Sequence, residues 1–189
     1  MIISIASGKG GTGKTTVATN LCAVIGGNLR LLDCDVEAPN AHLFLNPRST
    51  KKEKVNAPVP EVNETKCTYC KKCMAICRFG AIAVMGRKIL TFPELCHSCG
   101  GCSRICPEDA IMETDRRIGY VETGIPDRRP KIGFVRGLLD IGQVMAPPVI
   151  RNVRTQAIED GFTVIDAPPG TSCPVITAMK GTDAVILVT

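Results

Sequence analysis

A glycine-rich segment, residues 8–16, lies near the start of the chain and reads GKGGTGKTT. Residues 1–6 before it are mostly apolar and rich in β-branched side chains, as in a buried strand. After it, residues 15–25 place Val17 and Leu21 at helical spacing. A glycine turn between a strand and a helix directs backbone N–H groups and the positive helix end at one point. The segment therefore predicts the first strand–turn–helix unit of an α/β fold, with an anion site in the turn.

The residues of this turn suit the phosphates of a nucleotide. They match the pattern Gly-x-x-x-x-Gly-Lys-Ser/Thr, in which the lysine reaches the β- and γ-phosphates and the hydroxyl reaches Mg²⁺. The alternative is a glycine-rich turn with a surface lysine, and the flanking strand and helix argue against it. We predict a phosphate-binding loop formed by Gly8, Gly10, Gly11, Thr12, Gly13, Lys14, Thr15 and Thr16.

Aspartates follow two further predicted strands. Residues 29–33 form one apolar run, which ends at Asp33 and continues to Asp35. Residues 162–166 form another, which ends at Asp166 before Ala-Pro-Pro-Gly. Because the carboxyl ends of parallel strands meet at one edge of a sheet, these carboxylates are expected near the loop. Aspartates also cap turns, so the pattern alone leaves their role open.

Lys9 adds a second lysine to the loop. The loop then resembles the deviant phosphate loop of the MinD/ParA/Mrp ATPase family, which includes the nitrogenase iron protein. The resemblance implies that ATP binds with Mg²⁺ in a homodimer, and that Lys9 reaches across to the partner's phosphates. It also implies that Asp35 positions the attacking water and that Asp166 holds Mg²⁺ through water, with Thr15 and Asp35 beside the ion. Lys9, Lys14 and Asp35 are the catalytic residues in this interpretation.

Eleven cysteines are unusual in a chain of 189 residues, and eight of them form two matching groups offset by 29 residues. Each group has the spacing of a bacterial-type two-cluster ferredoxin, in which three cysteines hold one cluster and the fourth holds the other. We assign one [4Fe–4S] cluster to Cys67, Cys70, Cys73 and Cys106. We assign the second [4Fe–4S] cluster to Cys96, Cys99, Cys102 and Cys77.

Zinc is the alternative ligand of these cysteines, but zinc sites usually use paired cysteines rather than a triplet plus one. Arg78 stands where the first group would carry proline, and its charge is expected to raise the potential of the neighbouring cluster. Cys22 and Cys34 lie in or beside apolar segments and are expected to be buried. Cys173 is expected to pack as well, with a bridging cluster in a dimer as the alternative.

The predicted fold class is α/β, a P-loop NTPase parallel sheet flanked by helices, with an inserted α+β ferredoxin domain. Residues 1–57 and 117–189 are assigned to the discontinuous ATPase domain, and residues 58–116 to the two-cluster insert. Residues 46–63 contain three prolines and a basic run, and predict a linker or solvated segment.

The last predicted strand, residues 184–188, is a continuous apolar run, which implies burial on both faces by flanking helices. No helix follows this strand. We therefore expect an ATPase domain that is incomplete at its C-terminus, with a shortened domain that is covered by a partner as the alternative.

Composition limits the classes of partner. The chain has 44% hydrophobic residues, lacks a run of 18 apolar residues and does not begin like a signal peptide, so we expect no membrane partner and a cytoplasmic location. The net charge of +5 is scattered outside residues 48–54, so no nucleic acid is expected. A membrane-positioning ATPase would need a C-terminal amphipathic helix, which is not visible.

These observations predict an enzyme in which ATP hydrolysis, through dimer closure, gates electron transfer through the two clusters to or from an unidentified redox protein. An iron–sulfur cluster carrier, which passes its cluster to an acceptor protein, is the alternative implied by Mrp-like relatives.

Overall fold

The structure is a computed structural model that describes all residues, 1–189. It forms two compact units. The first contains Met1–Val55, Gly119–Asp140 and Ala146–Thr189, and the second contains Asn56–Ile118 and Ile141–Met145.

Nine strands and six α-helices make up the two units. The strands are β1 (Ile2–Ala6), β2 (Leu29–Asp33), β3 (Pro47–Val62), β4 (Ile82–Met85), β5 (Lys88–Thr91), β6 (Ile111–Pro126), β7 (Ile132–Leu139), β8 (Phe162–Asp166) and β9 (Ala184–Leu187). The helices are α1 (Lys14–Ile25), α2 (Ala41–Leu45), α3 (Lys72–Ile76), α4 (Gly101–Ile105), α5 (Ala146–Arg154) and α6 (Cys173–Met179), with a 3₁₀ turn at Pro93–Leu95.

The main sheet has seven strands in the order β3-β6-β7-β2-β8-β1-β9. The strands from β7 to β9 in this order are mutually parallel, and β6 runs antiparallel to β7. Leu31, Ile5 and Val164 are fully buried in its core, because helices cover a parallel sheet on both faces and make its strands continuously apolar. In register, Asp166 lies opposite Asp33, so both carboxylates reach the same edge of the sheet.

The prediction of a linker over residues 46–63 is wrong. These residues form β3, which lies at the edge of the main sheet. Val55, Ala57 and Val59 are buried at alternate positions, as a strand with one covered face requires. Prolines are tolerated on an edge strand, since one side of it makes no ladder hydrogen bonds. The lysines that suggested a solvated segment are the exposed residues typical of such an edge.

Other predicted boundaries also shift. The predicted boundary after residue 116 falls inside a strand, because β6 runs without a break from Ile111 to Pro126. The helix α5 begins at Ala146 and ends at Arg154. Pro147 and Pro148 lie in its first turn, where the missing N–H groups would have no partner within the helix.

The last strand is not buried by other elements of this chain. β9 lies at the edge of the sheet opposite β3, and its side chains are exposed, by 49% at Val185 and 66% at Leu187. No helix in the structure is both long and apolar enough to cross a membrane.

The second unit has its own small core. An antiparallel hairpin of β4 and β5 packs with α3, and the cluster of buried side chains consists of Cys73, Ile82, Val84, Ile89 and Ile111. The two cysteine groups contribute equivalent residues to this interior, because Ile82 and Ile111 follow the last cysteine of each group by the same number of residues.

Candidate functional site

The glycine-rich loop joins β1 to α1, as the sequence predicts. Gly11 and Gly13 have φ values of 78° and 92°, which only glycine adopts at little cost. α1 has no side-chain cap at its N-terminus, so its first N–H groups remain available to an anion. The Thr12 hydroxyl is buried and has no hydrogen-bond partner. The loop therefore presents several unused donors on one short turn.

Lys14 and Thr15 are the first two residues of α1, directly after the loop. Lys14 is only 7% exposed, although lysine is rarely buried without an anionic partner. The Thr15 Oγ1 donates a 2.6 Å hydrogen bond to Asp166 Oδ2, across 151 residues of sequence. Thr16 and Lys9 are exposed, and the Ser7 hydroxyl donates to the Lys9 carbonyl at 2.6 Å.

Asp166 is a buried carboxylate with an unused oxygen. It is 1% exposed, and its Oδ1 has no hydrogen-bond partner. Burial raises the pKa of Asp166 from 3.8 to about 6, with a further increase from the charge of Asp35, against the lowering effects of the Thr15 hydroxyl and Lys14. A buried carboxylate oxygen beside a threonine hydroxyl is a donor set that suits Mg²⁺, which prefers oxygen ligands. These residues therefore fit the ion that the family implies.

Asp33 and Asp35 have different surroundings. Asp33 is fully buried and accepts hydrogen bonds from the backbone N–H groups of Asp35 at 3.2 Å and Ala41 at 3.0 Å. Burial raises its pKa well above the usual range. Asp35 lies in the loop beyond β2, where partial burial raises its pKa and Lys14 lowers it.

Sequence reasoning missed the structural role of Asp33, which anchors the loop that carries Asp35 and starts α2. The available signal was an aspartate at a strand end followed by a turn, where its side chain commonly accepts the N–H two residues on.

The eight clustered cysteines line two separate cavities in the second unit. One cavity is lined by Cys67, Cys70, Cys73 and Cys106. The other is lined by Cys77, Cys96, Cys99 and Cys102. Each cavity thus receives three cysteines from one group and the fourth from the other group. No three His, Cys, Asp or Glu side chains converge closely enough to hold a single metal ion.

The backbone repeats the same conformation around both cavities. Residues with positive φ occur in pairs separated by the 29-residue offset: Tyr69 and Ser98, Lys71 and Gly100, Gly80 and Asp109. The N–H groups of Tyr69 and Ser98 each point at a cysteine Sγ two residues earlier, at 3.4 Å. Donors aimed at sulfur are a feature of iron–sulfur sites, where they stabilise the negative charge of the cluster. The backbone therefore fits a pair of similar clusters.

Burial favours the protonated form of the thiol at three of these cysteines. Burial raises the pKa values of Cys73, Cys96 and Cys102 above that of an ordinary thiol. Metal ligation removes the proton, so these positions would be stabilised as thiolates by a bound cluster.

The remaining cysteines divide into two kinds. Cys22 and Cys34 are fully buried, as predicted, and burial raises the pKa of Cys22 to about 12. Cys173 is exposed, so the prediction that it packs in the interior is wrong. It is the first residue of α6, where the expected neighbours do not cover it.

A parallel sheet, a glycine-rich loop after β1 and a buried aspartate on the neighbouring strand β8 define a P-loop nucleotide-binding domain. The chain belongs to the CobQ/CobB/MinD/ParA nucleotide binding domain family, whose model matches residues 3–170. The predicted family and the predicted α/β fold with a mostly parallel sheet are both confirmed.

The chain is similar to three other proteins over different lengths. The uncharacterized protein MJ0578 of Methanocaldococcus jannaschii is 34% identical over 195 residues, which cover 100% of this chain and 67% of that protein. An iron–sulfur cluster carrier protein of Synechocystis is 42% identical over 66 residues, 33% of this chain and 19% of the carrier. The septum site-determining protein MinD of Pyrococcus horikoshii, solved with Mg-ADP, aligns with a TM-score of 0.47 and 21% identity, over 100% of this chain and 57% of that one. The chain is therefore shorter than these relatives.

Proposed function

We propose that this protein binds ATP with Mg²⁺, dimerises around the nucleotide and couples hydrolysis to electron transfer through two [4Fe–4S] clusters. The observation that carries the proposal is the presence, in one chain, of the Thr15–Asp166 pair at a phosphate loop and of two cavities with four cysteines each.

The nucleotide half of the proposal uses residues that already face one another. The N–H groups of the loop and the Lys14 ammonium bind the phosphates of ATP. Thr15 and Asp166 hold Mg²⁺, which when bound offsets the charge of the phosphate oxygens. Asp35 lies near Lys14 and has a raised pKa, so it is suited to orient a water molecule and accept its proton.

The dimer part of the proposal concerns Lys9. Its side chain is exposed, while its backbone is held by Ser7. An exposed ammonium beside the phosphate loop can contact the phosphates bound by a second copy. ATP then favours the dimer only if it binds the closed state more tightly than the open one.

The redox half of the proposal uses the eight cysteines as thiolate ligands, with the N–H groups of Tyr69 and Ser98 as donors to sulfur. Bound [4Fe–4S] clusters supply one-electron redox chemistry. Zinc fits less well, because zinc sites usually use paired cysteines, whereas each cavity here has a triplet from one group and a single cysteine from the other.

Anaerobic reconstitution with iron and sulfide tests the proposal. We expect about eight irons per chain, as two [4Fe–4S] clusters require, and an EPR spectrum or dimer fraction that changes when ATP and Mg²⁺ are added. The Lys14→Ala variant is the control, since it should keep its iron and lose the response. A wild-type protein with a full iron content and no response to MgATP would contradict the coupling.

Cluster transfer is the second candidate function. Cys70 and Cys99 are exposed, so one cysteine of each site is accessible to an acceptor protein. One similar protein, which aligns with a third of this chain, is an iron–sulfur cluster carrier protein. Incubation with an apo-ferredoxin distinguishes the two functions. A carrier transfers its iron within about minutes, the timescale of protein assembly steps, whereas an electron-transfer protein retains it.

A further inference from the structure

The two cysteine cavities differ most in the residues between their second and third cysteines. The first group reads Cys70-Lys-Lys-Cys73 and the second reads Cys99-Gly-Gly-Cys102. The two pairs are equivalent under the 29-residue offset, so Lys71 and Lys72 occupy the places of Gly100 and Gly101. The repeat is therefore symmetric in its ligands and asymmetric in its charge.

The backbone favours glycine at the first of these positions. Lys71 has φ 64° and Gly100 has φ 69°, both in the left-handed region. A lysine costs free energy in this conformation and a glycine does not. Lys71 therefore lies at a position where the backbone alone would favour glycine.

Charged residues around the two cavities have opposite balances. Lys71, Lys72 and Glu108 line the first cavity, whereas Glu113 is the charged residue on the second. At Gly100 an added Cβ would lie 3.1 Å from Glu113 Oε1, so the absence of a side chain there leaves room for the carboxylate. Among the residues that line them, the first cavity therefore has a net positive rim, formed by Lys71, Lys72 and Glu108, and the second has only Glu113, with Arg104 Nε 4.0 Å from the same Cβ position.

Both lysines of this rim are exposed to solvent, as is Cys70 beside them. Two adjacent ammonium groups next to an exposed ligand form a small positive surface directly over one cluster site. A positive surface accelerates encounter with an acidic protein and slows encounter with a basic one. Positive charge also stabilises the reduced form of a nearby cluster, because reduction adds negative charge.

We propose that the pair Lys71–Lys72 makes the cluster held by Cys67, Cys70, Cys73 and Cys106 the docking site for a small acidic electron-carrier protein, and raises the potential of this cluster. The inference rests on the proposed function, since it requires both clusters. In the step that follows docking, the reduced carrier loses one electron and this cluster gains it, with no bond made or broken. The second cluster then equilibrates with the first.

The test compares Lys71→Gln/Lys72→Gln with Lys51→Gln/Lys54→Gln, which removes the same charge from β3 in the other unit. All proteins are reconstituted anaerobically and counted for iron. Reduction by a dithionite-reduced acidic ferredoxin is followed by stopped flow. At low salt the rim variant should react about tenfold more slowly than the wild type, and the β3 variant at about the wild-type rate. Near 0.5 M salt, where screening is nearly complete, the difference should vanish.

A second readout is independent of the partner. In an EPR potentiometric titration, one of the two potentials should fall in the rim variant while the other stays in place. Lys71→Gly/Lys72→Gly, which reproduces the second group and suits the left-handed backbone, should behave in the same way. Basic cytochrome c, used as an electron acceptor, should react faster with the rim variants than with the wild type.

The outcomes separate this inference from the function on which it rests. Eight irons per chain with unchanged rates and potentials in the rim variants overturn the inference alone. An equal loss of rate in the β3 variant also overturns it, because net charge rather than the rim would then control encounter. A wild-type protein that binds no more than one cluster overturns both the inference and the proposed function.

Discussion

The Asp166→Asn substitution should stabilise the nucleotide-free protein while it removes the response to MgATP. Asp166 is 1% exposed, and its Oδ1 has no partner. Its pKa is raised from 3.8 to about 6, chiefly by burial. The asparagine carbonyl can still accept the hydrogen bond from Thr15, so the substitution removes the charge and keeps this contact.

The magnitude follows from the pKa. Between about pH 4 and 6 the folded protein holds a proton that the unfolded chain has released, so the free energy of unfolding falls as the pH rises through this window and stays lower above it. A rise of about 2 in pKa corresponds to about 3 kcal/mol. At about pH 8 the Asp166→Asn variant should therefore be more stable than the wild type by up to about 3 kcal/mol, and near pH 4 the two should converge.

The assay is anaerobic urea unfolding at a series of pH values without nucleotide or Mg²⁺. Asp33 titrates in the same direction, and the charge of Asp166 adds to the effect of burial in raising the pKa of Asp33, so the difference between the two curves reports Asp166 together with its coupling to Asp33. Asp160→Asn, at an exposed position, is the matched control and should follow the wild type. A constant difference at all pH values, or a variant less stable than the wild type at pH 8, would refute the reasoning. Added MgATP should stabilise the wild type and the control but not Asp166→Asn.

Three further predictions concern the catalytic and cluster residues. Lys9→Ala should bind MgATP with nearly wild-type affinity and lose ATP-dependent dimerisation, as measured by sedimentation; retention of the dimer would contradict the role given to Lys9. Asp35→Asn should keep nucleotide affinity and lower steady-state phosphate release about 100-fold or more, in line with the loss of a general base, with Glu37→Gln in the same loop as its control. Cys77→Ser should disturb the same EPR signal as Cys96→Ser, and Cys106→Ser should disturb the other signal, because the fourth ligand of each cavity comes from the opposite group. If Cys106→Ser disturbs the signal that Cys96→Ser disturbs, and Cys77→Ser disturbs the other one, the assignment is contradicted.

Sequence patterns predicted the structure correctly where it depends on residues that are close together in the sequence. The glycine loop required positive φ at positions only glycine fills easily, and Gly11 and Gly13 have it. The apolar runs of the parallel strands predicted β1, β2 and β8 within a residue or two, because burial on both faces makes such strands continuously hydrophobic. The spacing of the cysteines likewise depends only on nearby residues, and it grouped the eight side chains that line the two cavities.

The prediction failed where distant segments decide the structure. Residues 46–63 carry lysines and prolines that are typical of a solvated linker, yet they form β3, since β6, which begins only at Ile111, provides its pairing partner. The alternate apolar residues Val55, Ala57 and Val59 are the sign of a strand in this segment, because their side chains are buried on one face of it. Which face is covered is known only from the folded structure.

The sequence by itself determined the loop, the parallel strands and the cysteine groups, because each depends on conformations and spacings within a few residues. The tertiary structure alone joined Thr15 to Asp166 across 151 residues and separated Asp33, which anchors a loop, from Asp35, which faces Lys14. It also placed Lys71 and Lys72 on one cavity and Glu113 on the other. Hydrogen bonds and charges act over a few ångströms of space, and only the folded chain decides which residues lie within that distance.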